Sequence, residues 1–237
     1  MTKKFHFIRA LTFDCFGTLF RPKHAIGKLY ELKAKEHNIV IDPIALNNSF
    51  LQTYKKYDTL KPNFGTEMNG EKVEEEAKIT KLWWKNVVFE TFLNCQEFDI
   101  KVLELLFEDL YESFKKGDFY EVFEETPQVL KTLKSKGFLL GIISNMDHRI
   151  VYSSSISFVK PQSQIFEEAF RKTRLFQPTV DRNSVLHVGD DKLKDYDGAT
   201  KFGNKALLLK RYNSIDNSTD DSNTISNLNE IFKHLVK

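Results

Sequence analysis

The sequence predicts an α/β fold with a parallel sheet, interrupted after its first strand by an all-helical insertion. From residue 126 onward, short apolar runs alternate with helix-period segments, the pattern of a parallel sheet. Between residues 23 and 116, apolar residues recur only at spacings of three and four, with no strand signal between them.

Each element has its own reason. Ile8–Asp14 (IRALTFD) is short, apolar and ends in an acid before Gly17-Thr18, so it reads as a buried strand feeding a tight loop. In the insertion, Leu29 and Leu32, then Leu46, Phe50 and Tyr54, mark helical faces. Leu82, Val87, Phe89 and Phe92, then Val102, Leu105, Leu106, Leu110 and Phe114, mark more, giving about four amphipathic helices. Trp83-Trp84 reads as core of that insertion. Thr126-Pro127 opens a helix and Gly137 closes it. Phe138–Ser144 (FLLGIIS) is a strand, Ile165–Thr173 a helix and Ser184–Gly189 (SVLHVG) a strand. Tyr196–Phe202 is a helix stopped by Gly203, Lys205–Leu209 a strand and Ile225–Val236 a last helix. The Asn/Ser/Asp stretch 213–224 is a polar surface loop. The expected domains are an α/β core of 1–20 and 119–237 and a helical insertion of 21–118.

Composition narrows the function. At 41% hydrophobic and 29% charged, the 237 residues can bury a core, and wholesale disorder is not expected. Lys+Arg is 35 against 33 Asp+Glu, a formal charge of +2 with no basic excess for a dedicated nucleic-acid binder. Cys15 and Cys95 build no disulfide framework and fit a reducing compartment. No apolar run approaches the ~18 residues of a membrane helix, and the start lacks a signal peptide's apolar stretch. The expectation is a cytoplasmic monomer, with the nucleus as a second location, that acts on a small molecule and binds neither nucleic acid nor membrane. No GxxxxGK[ST], GxGxxG or HExxH is present, which removes P-loop, dinucleotide and zincin readings. His187, inside a strand, reads as core or site-lining rather than a zinc ligand.

Ligands of open α/β sheets bind beyond the carboxyl ends of strands. Three such ends are polar: Asp14, Ser144-Asn145 and Asp190-Asp191. Each alone has a plain reading. Asp14 suits a turn bonding its own backbone, and Ser144-Asn145 a cap. Lys160-Pro161 suits a solvated lysine before a helix, and Gly189-Asp190-Asp191 with Asp195 an acidic turn. Together, the order carboxylate, Ser, Lys, acidic cluster resembles the haloacid dehalogenase superfamily over essentially the whole chain. The segments LTFDCFGTL, LWWKNVVFETF, GIISNMDHR, VKPQSQIFEEA and LHVGDDKLKDYDGA are similar to one branch of it with fungal members.

The resemblance implies a Rossmann-like core with an inserted cap at 21–118 that selects substrate. It implies Asp14 as covalent nucleophile. Ser144 and Lys160, with Thr18 and Asn145, would bind a phosphate or carboxylate. One Mg²⁺ would be held by Asp14, the main-chain carbonyl of Phe16, Asp190 and Asp191 or Asp195. Two departures stand out. The phosphatase pattern has a second aspartate two residues after the nucleophile, where this chain has Phe16; such general acid–base help is worth roughly 10²–10⁴-fold. Asp147 is a candidate substitute. The interval from Ser144 to Lys160 is also short, 16 positions (160 − 144), so 147–159 reads as a reduced βα segment. The leading expectation is a weak Mg²⁺-dependent phosphatase on small phosphomonoesters. The alternatives are an inactive binding or regulatory member and a C–X hydrolase. The last wants a cap arginine, and residues 21–118 hold only Arg21.

Overall fold

Residues 4–5, 7–65, 73–145, 158–211 and 221–235 are described by a computed structural model. Close contacts group Met1–Arg21, Val122–Asn145 and Phe158–Lys237 into one unit and Pro22–Glu121 into another.

The first unit is built on a five-stranded sheet. Its strands are β1 (Ala10–Phe13), β4 (Leu139–Ile142), β5 (Val185–Gly189), β6 (Lys205–Leu209) and β7 (Thr224–Ile225), in the order β4-β1-β5-β6-β7. Every pairing is parallel. β1 and β5 are interior strands and are buried along their whole length, which is why both read as continuous apolar runs rather than alternating ones. Phe13 aligns with Ile142 on one side and Val188 on the other. The carboxyl ends of three strands therefore finish side by side. Helices α5 (Thr126–Ser135), α6 (Ser163–Phe176), α7 (Gly198–Phe202) and α8 (Ile231–His234) accompany the sheet. Phe166, Ala199 and Phe202 pack with Ile143 and Ala206 as one apolar cluster.

The second unit is helical: α1 (Ile26–Glu36), α2 (Pro43–Leu60), α3 (Val73–Leu93) and α4 (Ile100–Lys116). Its core joins Tyr30, Leu46, Phe92, Leu103, Phe107 and Leu110 among others. Leu46, Phe92 and Leu110 are residues that marked helical faces in the sequence, whereas Leu32, Leu82 and Leu105 of the same series are exposed. Asp42 starts α2 by accepting from the amides of Ile44 and Ala45, with Pro43 at the first helical position. Trp83 is buried and its indole donates to the Lys61 carbonyl (3.0 Å), as expected of core.

Three differences from the sequence reading are local. β2 (Phe20–Pro22) and β3 (Tyr120–Val122) form a two-stranded sheet where no strand was expected. At three residues each, they are too short to show alternation. The expected helix Ile225–Val236 is instead β7, a 3₁₀ turn at Leu228–Glu230 and the four-residue α8. The Asn227 side chain accepts from the Asn229 amide, so the chain turns before it coils. Asp191 caps a wide π-type helical turn, Lys192–Asp197, that leads into α7 at Gly198. The reduced segment expected at 147–159 lies almost entirely outside the described residues, as do Asp147 and most of the 213–224 loop.

Candidate active site at the carboxyl ends of β1, β4 and β5

Asp14 is the residue immediately past β1. Its amide donates to the Val188 carbonyl (2.9 Å), which extends the ladder to β5 by one rung. On the other side the Ile143 amide donates to the Phe13 carbonyl (2.9 Å). Ser144, one residue later, donates its hydroxyl to Asp14 Oδ1 (3.0 Å). Lys160 donates its ammonium to the same oxygen (2.5 Å) and to Asp195 Oδ1 (2.5 Å). Among the described residues Asp14 Oδ2 takes no hydrogen bond.

Lys160 is only 3% exposed. Burial alone would push its ammonium down the pH scale, but the charges and hydrogen bonds of Asp14 and Asp195 outweigh this and hold it above the ordinary lysine value. Asn145 fixes the main chain of that lysine. Its side-chain oxygen accepts from the Lys160 amide (2.7 Å) and its nitrogen donates to the Lys160 carbonyl (3.0 Å). The sequence reading grouped Asn145 with the anion binders. Its amide instead grips the main chain of Lys160.

Asp195 lies behind the lysine. Its Oδ2 accepts from the Asp191 amide (3.0 Å), and its Oδ1 also lies 3.2 Å from His187 Nε2. His187 is fully buried, with Nδ1 2.9 Å from the Thr12 hydroxyl. An ionised carboxylate can only accept, so the ring proton sits on Nε2 and Nδ1 accepts from Thr12. Burial holds the imidazole below its usual value and therefore neutral, although Asp195 pulls the other way. For Asp195, burial works upward, but His187 and Lys160 prevail and hold the carboxyl well below the usual range. His187 thus lines the site from inside the sheet, in keeping with the sequence reading.

Asp14, Asp190 and Asp195 each offer an oxygen within 4.8 Å of the others. Asp190 presents part of its surface to solvent, but its carboxyl lies hard against Gly17. Burial there, then the charges of Asp14 and Asp195, push it up to about 7. Two glycines make the cluster possible. Gly17 turns with φ +82, and a Cβ on it would fall 2.2 Å from Asp190 Oδ2. A Cβ on Gly189 would fall 2.2 Å from Asp195 Cγ.

Asp191 does not join this cluster, so of the two acids the sequence offered beside Asp190 it is Asp195 that stands with Asp14 and Asp190. The backbone at Asp191 is extended, so consecutive side chains there point to opposite sides. Its carboxylate accepts from the Lys194 amide (2.8 Å) and faces the Lys194 ammonium (3.7 Å). Thr18, expected near an anion, is fully buried, and its hydroxyl has no hydrogen-bond partner among the described residues. Phe16 lies two residues past Asp14 and is 43% exposed. Cys15 is not a competing nucleophile. Burial, then the neighbouring Asp14 charge, push its thiol up to about 12.

Sequence reasoning missed Thr12, which was seen only as part of an apolar run, and Arg211, which stands in no motif. Arg211 donates to the carbonyls of Gly17 (3.2 Å) and Thr18 (2.7 Å) and to Glu125 Oε1 (2.6 Å).

Among known proteins, the chain is 29% identical over 231 residues to haloacid dehalogenase-like hydrolase domain-containing protein 3 of Homo sapiens, covering 91% of this chain and 87% of the relative. A solved 2-haloacid dehalogenase from Pseudomonas syringae superposes with a TM-score of 0.60 at 20% identity, covering 95% of this chain and 97% of that one. A solved HAD phosphatase from Thermococcus onnurineus gives 0.57 at 18%, with 95% and 97% covered. These two likenesses are of fold. The profile of the family described as haloacid dehalogenase-like hydrolase matches residues 8–203, most of the chain, and with that match the chain belongs to the haloacid dehalogenase-like hydrolases.

Proposed function

We propose that this hydrolase is a Mg²⁺-dependent phosphatase of small phosphomonoesters that works through Asp14. One observation carries the reading: Ser144 and Lys160 converge on one oxygen of Asp14, while Asp14, Asp190 and Asp195 each offer an oxygen within 4.8 Å of the others. In the proposed step Asp14 Oδ2 attacks phosphorus as the bond to the leaving oxygen breaks, giving the aspartyl phosphate, and the leaving oxygen takes its proton from solvent water. Water then cleaves the acyl phosphate and returns the carboxylate. The Ser144 hydroxyl and the Lys160 ammonium hold the transferring oxygens. Neutral His187 keeps Asp195, and through it Lys160, in place.

The donor set fits a hard divalent cation. Three carboxylates face one ammonium, an excess of negative charge made of oxygen ligands. Asp14, Asp190 and the Phe16 carbonyl would hold the ion, with Asp195 behind them. When bound, Mg²⁺ neutralises charge between Asp14 and the phosphate. Asp191, whose carboxylate accepts from the Lys194 amide, is left out of this proposed set.

The test is phosphate release from a panel of small phosphomonoesters, with and without Mg²⁺, beside Asp14→Asn. Release by the wild type that needs Mg²⁺ and disappears in a folded Asp14→Asn is the expected outcome. Release that survives the substitution would remove Asp14 from the chemistry.

Phe16 favours a second reading. A phenyl ring stands where a proton donor would assist the leaving group, as in a member that binds anion and metal without turnover. That reading predicts Mg²⁺ or phosphate binding by calorimetry and no release from any ester.

A further inference from the structure

We infer that Arg211 is a positioning residue of this site, the clamp that fixes the turn between Asp14 and Phe20. The inference rests on the reading of Asp14 and Asp190 given above, and its test separates the two.

The turn closes on itself through its amides. Gly17 donates to the Phe20 carbonyl (2.8 Å), and the amides of Thr18, Leu19 and Phe20 all converge on the carbonyl of Cys15 (3.3, 2.8 and 3.2 Å). That leaves the Gly17 and Thr18 carbonyls facing away from the turn's own donors. Arg211 meets both, through Nε and Nη2. Its third nitrogen, Nη1, reaches Glu125 Oε1, and its guanidinium carbon lies 3.5 Å from the centre of the Phe123 ring. The side chain is 9% exposed, so this is a buried fork with each nitrogen assigned. Its root lies just past β6. It therefore ties the end of that strand to the turn after β1, with β5 lying between the two strands.

The turn matters because of what leans on it. Gly17 is the wall behind the Asp190 carboxyl, close enough that a Cβ there would collide with it. A shift of Gly17 by the width of a methyl group would change where Asp190 rests and its spacing from Asp14. The two carbonyls Arg211 holds belong to Gly17 and its neighbour. The arginine thus acts on Asp190 through the backbone, without touching it. Lysine does not replace it: an ammonium is a point charge and cannot place three planar donors on two carbonyls and a carboxylate.

The experiment is Arg211→Lys in the full chain, a change that keeps the charge and most of the stem. Amide hydrogen exchange is read by mass spectrometry on the peptide spanning the turn and on β5 and α5. Losing the fork should speed exchange of the turn amides by about tenfold while β5 and α5 keep their wild-type protection. Calorimetric titration should show Mg²⁺ affinity weakened, also by about tenfold. Added ethylguanidinium should restore both in Arg211→Ala. Wild-type exchange in the turn of Arg211→Lys overturns the inference. So does faster exchange spread evenly over the chain, which would make the arginine a brace for the whole fold. A loosened turn with unchanged Mg²⁺ affinity would break the link from Gly17 to Asp190 and overturn its role in the site. If the wild type binds no Mg²⁺ and releases no phosphate, the phosphatase reading falls, and the exchange measurement alone decides the clamp.

Discussion

Phe16 stands where the phosphatase pattern has a second aspartate, and the described residues around Asp14 offer little to replace it. Of the described carboxylates around Asp14, Asp195 has both oxygens engaged by Lys160, His187 and the Asp191 amide, and Asp190 is wedged against Gly17. Phe16→Asp is therefore expected to raise phosphate release by roughly 10²–10⁴-fold, the usual worth of a placed general acid–base. The residue there is already partly exposed, so a carboxylate meets no large desolvation cost. Steady-state rates on one phosphomonoester at saturating Mg²⁺ decide it. A folded variant with the wild-type rate would mean that another group already handles the proton. Asp14, Ser144 and Asp190 could be named from the sequence because each is a polar residue just past an apolar strand run, and Lys160 because it stands before Pro161 and a helix in the expected order. Asn145 and Asp191 look the same in sequence, yet one grips main chain and the other caps a turn. The difference is side-chain direction, which a string of letters does not carry. Arg211 was illegible for another reason, because its partners are backbone carbonyls of residues far away in the chain.

Elements show the same division between local pattern and contact. The helices of the second unit were readable because a three-four apolar spacing is written along each one, whereas β2, β3 and β7 are two or three residues long and owe their existence to a neighbouring strand. The crossing of α1 and α2 is a contact of that second kind. The Gly27 amide donates to Asn47 Oδ1 (3.2 Å), and a Cβ on Gly27 would lie 2.2 Å from the Pro43 carbonyl oxygen and 2.4 Å from the Asn47 amide nitrogen. Both obstacles are backbone, so neither can swing aside. Gly27→Ala would gain at most about 1 kcal/mol of helix propensity. Against that, forcing two packed helices apart costs typically 1–3 kcal/mol or more. A net loss of stability is expected, read as a lower urea midpoint with far-UV helicity retained. An unchanged or raised midpoint would show that the helices separate without penalty.

At the scale of the whole molecule, the α/β unit is assembled from three separated pieces of chain, and the Glu125–Arg211 ion pair joins two of them. Glu125, at the start of α5, accepts from Arg211 and lies 3.5 Å from the Leu228 amide, which precedes α8. Burial pushes the Glu125 carboxyl up, but the hydrogen bond and charge of Arg211, with the backbone donors, outweigh it, so its folded value is depressed. The sign follows from linkage. A carboxylate depressed in the folded state stabilises that state above its unfolded value of about 4.3, and this stabilisation is lost as pH falls through the folded value. Glu125→Gln keeps the shape but cannot ionise. At pH 7 it is expected to be less stable than wild type by about 1–3 kcal/mol, the range for a hydrogen bond to a charged group. That deficit should stay flat down to about pH 5 and shrink below pH 4.3 as the wild-type carboxylate takes up its proton. Urea unfolding of both proteins from pH 7 to pH 3 gives the two curves. Convergence on the acid side assigns the pH-dependent share of the stability to this pair. Curves that stay parallel to pH 3 would mean that Glu125 titrates alike in the folded and unfolded chain, and that Arg211 holds it by shape rather than by charge.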